Sequence, residues 1–165
     1  MMKTRQLVLT AVFIAMVTVS TTIRIHIPLG TGGLIHLGTL VSFIIALRFG
    51  PRYGALAGGI GMTLFDLLSE WYVWAPATLI IRLTSGYLVG YFAKSKKGQG
   101  DSLLKNVLAI LIGGVVIVVG YYGFEAFILG VGWVPALSSI PGNLTQIGLA
   151  LFWLLVVPSI PRVDS

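Results

Sequence analysis

Apolar residues fall into six blocks along this chain, divided by short stretches rich in glycine, proline or charge. A helix crosses the hydrocarbon core of a bilayer with about 20 mostly apolar residues. The first block, Leu7 to Ile25, follows Lys3 and Arg5. No clear small-x-small cleavage site closes it and further apolar blocks follow, so it reads as a span and not as a signal peptide. PLGTGG at Pro28 to Gly33 breaks the helix. His36 to Arg48 is a second, shorter block, and the Phe49-Gly50-Pro51 turn leads through Arg52 into a third, Tyr53 to Leu68. After the polar and aromatic run Ser69 to Ala75, Pro76 suits the first turn of a fourth helix reaching Ala93. The hydrophilic loop KSKKGQGD precedes the fifth block, Leu103 to Ile128. A Gly/Pro/Trp-rich loop, Gly130 to Pro141, precedes the sixth, Asn143 to Val157, which Pro158 and Pro161 stop.

Composition turns these blocks into membrane spans. The 165 residues are 56% hydrophobic and 10% charged, with a mean hydropathy of +0.97. Soluble domains carry about 25% charged residues, and a chain this short needs more polar surface than that to stay in water. The expectation is an all-α integral membrane protein, one membrane domain over residues 1–165, with six transmembrane helices. With no cysteine, disulfides, thiolate catalysis and cysteine metal sites are excluded. His26 and His36 alone do not make a metal site, and no cofactor is expected.

The net charge of +6 would suit nucleic acid if it formed a patch, but its placement says otherwise. With the N-terminus in the cytoplasm and the spans alternating, Lys3, Arg5, Arg48, Arg52, Lys94, Lys96, Lys97, Lys105 and Arg162 all fall inside. Arg24 lies at an outer end and Arg82 within a span. This asymmetry follows the positive-inside rule, with both termini cytoplasmic in a multi-pass cell membrane protein. No basic patch is left over for nucleic acid.

The same topology gathers His26, His36, Asp66, Glu70, Trp71, Tyr72, Trp74, Glu125, Trp133, Asn143 and Gln146 at the outer side. Trp71 and Tyr72 read as an interfacial aromatic belt. Trp74 and Trp133 sit on separate outer loops beside Asp66, Glu125 and Asn143, and aromatic faces with a few aimed polar groups suit a flat, polar small molecule. A charge deep in lipid normally faces a cavity or a partner. Asp66 is therefore either ion-paired with Arg82, about 9 Å down the fourth helix, or part of a pocket. Asn143 and Gln146, three apart, share a helix face; amides bond ligands, and they also bond neighbouring helices. His36, beside the outer loop, is a further candidate.

Catalytic and nucleotide motifs are missing. There is no GxxxxGK[ST] phosphate loop, no HExxH and no serine with a plausible base, so an enzyme is not expected. A stand-alone proton-coupled carrier using Asp66 and Glu125 is the alternative, although no inverted repeat supports it. A purely structural subunit is a third possibility. Gly50, Gly54 and Gly58, then Gly86 and Gly90, recur every four residues and permit close helix approach.

The segments GGLIHLGTLVSF, RFGPRYGALAGGIGMTLFDLLS and YVWAPATLIIRLTSGYLVGYFA resemble the S components of energy-coupling factor (ECF) vitamin transporters, in the branch with riboflavin-type and hydroxymethylpyrimidine/pyridoxine-type members. The resemblance covers most of the chain and is strongest from Gly32 to Ala93. It implies a six-helix, substrate-binding membrane subunit that takes a vitamin or precursor at its outer face. Delivery then involves a transmembrane T component and two cytoplasmic ATPases. It places the pocket on the first outer loop and the outer parts of helices four to six, which here supply His36, Trp74, Tyr122, Glu125, Trp133, Asn143 and Gln146. Asp66 and Arg82 lie in the motif region, as pocket or as structural pair. An AxxxA motif on the first helix of such proteins contacts the T component, and Ala11 and Ala15 match it. Hydroxymethylpyrimidine or pyridoxine is the favoured ligand and riboflavin the next.

Overall fold

The computed structural model describes residues 4–25, 35–95 and 98–157. Lys3, His26, Lys96, Lys97, Arg162 and the PLGTGG segment lie outside these residues. Six helices of 12 to 21 residues form the bundle: α1 (Thr4–Thr22), α2 (Gly38–Phe49), α3 (Pro51–Leu67), α4 (Ala75–Phe92), α5 (Leu103–Gly123) and α7 (Ser139–Val156). A four-residue helix, α6 (Trp133–Ala136), lies between the last two. All six expected spans are present as helices.

Their ends differ from the sequence expectation where local chemistry decides. His36 was expected to open the second helix. Instead it lies on a short strand, β2 (Ile35–His36), paired antiparallel with β1 (Arg24–Ile25). Its backbone belongs to a hairpin, so α2 starts only at Gly38. Gly130 to Pro141 is partly helical, because Pro141 fits the first turn of α7 and that helix begins at Ser139. The fifth span ends in a π turn, Phe124–Ile128. The inner hydrophilic loop contains a second hairpin, β3 (Lys94–Ser95) with β4 (Gly98–Gln99).

Among the described residues, three helical stretches are long and apolar enough to cross a membrane: Thr4–Thr22, Leu103–Ile128 and Trp133–Val156. α3 and α4 bury small residues such as Gly54, Gly58, Gly86 and Gly90. At about 1.5 Å per residue, the 12 residues of α2 rise only about 18 Å. That is less than a bilayer core, and the β1–β2 hairpin sits on the N-terminal end of α2.

The core has two parts. Phe13, Val17, Ile45, Ala57 and Met62 join α1, α2 and α3. Phe43, Ile81, Val89, Ile110, Ile117 and Ile147 join α2, α4, α5 and α7. α3 lies between α1, α2 and α4, and glycine makes this possible. A Cβ added at Gly86 would meet the Gly54 carbonyl oxygen at 2.4 Å, and one at Gly61 would meet the Ile14 carbonyl at 2.9 Å. Both obstacles are backbone, so the helices touch main chain to main chain. Thr18 uses this closeness, its Oγ1 donating to the Gly61 carbonyl at 2.9 Å. Between α2 and α3, Gly50 adopts φ +93°, a left-handed conformation that costs glycine little, and Pro51 starts the next helix.

The basic residues Arg48, Arg52, Lys94 and Lys105 all fall at one end of the bundle, where α2 and α4 finish and α3 and α5 start. The positive-inside rule makes this the cytoplasmic end. The β1–β2 hairpin, the α3–α4 connection and the α5–α7 connection share the opposite end.

Candidate ligand cavity

A cavity of about 410 Å³ opens at that opposite end. Six elements build it. β2 brings His36, α3 brings Asp66, and the 3₁₀ turn Tyr72–Trp74 with its flank brings Trp71 and Trp74. α4 contributes Thr78 and Arg82, and α5 with its π turn contributes Tyr121 and Glu125. The start of α7 supplies Ser139, Asn143 and Gln146. Leu129, Val131 and Pro135 provide apolar wall.

The floor is a hydrogen-bonded chain across the helices. Arg82 Nη1 donates to Thr39 Oγ1 at 2.8 Å, and Thr39 Oγ1 donates to Gln146 Oε1. Arg82 Nε donates to Tyr121 Oη at 3.3 Å, and that hydroxyl also shares a proton with Thr78 Oγ1 at 2.9 Å. The Arg82 guanidinium stands 5.3 Å from the Tyr121 ring centre, a cation–π distance. Arg82 is 2% exposed. This buried cation is held by neutral oxygens and an aromatic face, and Asp66 does not pair with it directly. Of the two alternatives for Asp66, the structure shows it in the cavity lining, with Thr39 and Tyr121 bonding the guanidinium from α2 and α5.

Glu125 is held in another way. Trp74 Nε1 donates to its Oε1 at 3.3 Å, tying the α3–α4 connection to the end of α5. The Trp71 and Trp74 rings pack at 5.1 Å with a 58° tilt, so both indoles border the same space. Outside the membrane-spanning helices, burial pushes the His36 imidazole down to about 3, and the Arg82 charge adds to the effect. His36 is therefore neutral at pH 7.

The cavity gathers His36, Trp74, Glu125, Asn143, Gln146, Asp66 and Arg82 from the residues singled out in the sequence. Tyr122 and Trp133 are not in its lining. They face each other at 6.1 Å, Tyr122 Oη donates to the Trp133 carbonyl at 3.3 Å, and Trp133 is 57% exposed. Tyr121 stands in the place assigned to Tyr122. Sequence spacing does not separate the two: Tyr121 and Tyr122 lie four and three residues before Glu125, and both spacings share its helix face. Trp71, read as interfacial, lines the cavity, while Tyr72 is 63% exposed. Thr39, Thr78 and Ser139 carried no distinguishing sequence signal, because a hydroxyl in a span usually bonds its own helix backbone. Away from the cavity, Ala11 and Ala15 lie on the exposed face of α1, opposite the buried Phe13 and Val17.

The profile of the family described as ECF-type riboflavin transporter, S component, matches residues 1–158 of the chain. The chain belongs to this family. A relative from Pyrococcus woesei, described as an uncharacterized protein in the gap 3′ region, is 38% identical over 117 residues, covering 70% of this chain and 75% of its own. Membership makes this S component a membrane-embedded, substrate-binding subunit of an ECF transporter, a transport component and not an enzyme. It also implies a ligand and, in general terms, T-component and ATPase partners.

Proposed function

We propose that this S component captures a small, flat, polar heteroaromatic vitamin or precursor, with hydroxymethylpyrimidine or pyridoxine ahead of riboflavin. The observation that carries this reading is the cavity itself. Two tilted indoles and a tyrosine border about 410 Å³ that also receives a guanidinium, two carboxyl groups, an imidazole and two amides. Ligand sites of this size bury most of a small molecule, and a few placed polar groups decide which one. Several placed hydrogen-bonding groups set in a largely apolar wall suit a small ring substituted on several edges. Riboflavin is the second reading, favoured by the family description. The cavity faces the end opposite the basic loops, which is the external side by the positive-inside rule.

On this reading the protein loads from outside and passes its ligand inward with a T component and two ATPases, which supply the energy that a chain without a phosphate loop cannot. Ala11 and Ala15 contact the T component. Their support is that both are exposed on α1 and small enough to let another helix approach closely.

Thermal denaturation of the detergent-purified protein against pyrimidines, B6 vitamers, thiamine and flavins tests the ligand class. A rise in Tm with hydroxymethylpyrimidine or pyridoxine is expected, and no rise with any compound would sink the reading. The double substitution Ala11→Val with Ala15→Val is expected to abolish co-purification of the ATPases while leaving the ligand-induced Tm shift intact. An intact complex would remove the contact assignment.

A further inference from the structure

Four buried side-chain atoms among the described residues have no hydrogen-bond partner: His36 Nδ1, Asp66 Oδ2, Trp71 Nε1 and Asn106 Oδ1. Asn106 belongs to the basic end, where its Nδ2 donates to the Gly100 carbonyl. The residues that carry the other three, His36, Asp66 and Trp71, all belong to the lining of the one cavity. A buried polar group without a partner bears its whole desolvation penalty, and native proteins leave few such groups. Their concentration here marks where the protein keeps hydrogen-bonding capacity in reserve.

Asp66 and Trp71 are linked by their local structure. Asp66 is 7% exposed, near the end of α3. Ser69 Oγ donates to the Asp66 carbonyl at 3.2 Å and accepts from the Trp71 backbone N–H at 3.3 Å. One serine thus braces the corner that carries both side chains. The Trp71 ring is fixed by Trp74, whose own N–H is already used by Glu125. Of the two indole donors, Trp71 is the uncommitted one.

We infer that Asp66 and Trp71 form the corner that reads the ligand, and that they recognise a ring amino group beside a ring nitrogen, as on an aminopyrimidine. An ionised carboxylate only accepts and an indole N–H only donates. A ligand edge that answers both places a donor next to an acceptor in one plane. The amino group donates to Asp66 Oδ2, and the adjacent ring nitrogen accepts from Trp71 Nε1. The His36 imidazole, 8% exposed, supplies a third contact to another edge. This assignment rests on the cavity being a vitamin site, and it narrows that reading from a family of rings to one edge chemistry.

The test uses the full-length protein in detergent, with hydroxymethylpyrimidine bearing its amino group and the deaminated analogue as probes, and with pyridoxine and riboflavin as further arms. Calorimetric titration of the wild type is expected to favour the amino compound by roughly 10- to 150-fold, the range for a hydrogen bond to a charged group. Asp66→Asn is expected to lose most of that preference and also to raise Tm without ligand, since it removes a buried charge one of whose oxygens has no hydrogen-bond partner. Trp71→Phe, which keeps the ring packing and drops the N–H, is expected to weaken the amino compound with little change in unliganded Tm. If Asp66→Asn does not fold, Trp71→Phe decides alone. Variants that keep the wild-type preference, or that weaken both probes equally, overturn the corner and leave the vitamin site standing. A wild type that binds pyridoxine or riboflavin but neither pyrimidine overturns the edge chemistry alone. A wild type that binds none of the four overturns both readings.

Discussion

The two ends of this bundle handle polar groups in opposite ways. At the basic end, side chains close the structure onto its own backbone. Gln99 Nε2 donates to the carbonyls of Gly90 at 2.7 Å and Ala46 at 3.3 Å, joining β4 to α4 and α2. Lys105 Nζ donates to the Lys94 carbonyl at 3.0 Å. A Cβ at Gly90 would fall 2.5 Å from Pro51 Cα, so α4 and the start of α3 are in backbone contact. At the other end, Arg24 pairs with Glu70 at 2.8 Å on the rim, and below it lies a cavity with three unpartnered polar atoms. Gln99 and Lys105 find their partners within the fold, with Asn106 Oδ1 the buried exception at that end among the described residues, whereas three polar atoms at the cavity end stay unpaired, at some cost in stability.

That contrast can be broken by substitution. The largest effect is expected from Gly90→Val at the basic end. The clash is with main chain that cannot move aside, and overpacking typically costs about 1–3 kcal/mol or more. Yield of monodisperse protein should collapse, and a normal yield would show that the two helices can separate there. Next, Gln99→Ala is expected to lower Tm by leaving two carbonyls unbonded, at about 1 kcal/mol per neutral hydrogen bond, with ligand affinity unchanged. Tyr121→Phe reverses this pattern. It removes the hydroxyl that holds Arg82 and Thr78, so affinity is expected to fall by about tenfold or more, whereas Tyr122→Phe leaves affinity as in the wild type. Equal effects of the two tyrosine variants would erase the distinction between them.

The smallest effect is a pH dependence. The His36 imidazole is pushed from its usual value near 6.5 to about 3 in the folded protein. The unfolded chain therefore takes up a proton that the folded protein resists. Stability is full above about pH 6.5 and is lost as pH falls toward 3. Tm measured across this range should drop on acidification and drop less in His36→Gln. A variant as acid-sensitive as the wild type would place the effect elsewhere.

The spans were legible because their cause is local. A run of apolar residues bounded by Gly50-Pro51, Pro76 or a lysine-rich loop needs no knowledge of its neighbours to be read as a membrane helix. The glycine spacing in α3 and α4 was legible for the same reason, since a four-residue repeat lies on one helix face whatever packs against it. His36 was misplaced by two residues because strand pairing with Arg24 is a contact between segments. Tyr121 and not Tyr122 lines the cavity, a choice between adjacent residues that look alike in sequence, because the face that turns inward depends on where α4 and α7 sit.

By itself, the sequence determined that this is a six-helix membrane protein with most of its basic residues on one side and Asp66, Glu70, Glu125, Trp71, Trp74 and Trp133 gathered on the other. Hydropathy and charge act residue by residue, so composition and order suffice. Only the tertiary structure decided that Arg82 is held by Thr39 and Tyr121 instead of Asp66, that Trp74 is committed to Glu125 while Trp71 is not, and that Asp66 Oδ2 is buried without a hydrogen-bond partner. Hydrogen bonding is satisfied over a few ångströms between helices that are far apart in the chain. Which polar groups are spent on the fold, and which remain for a ligand, is settled only when those helices meet.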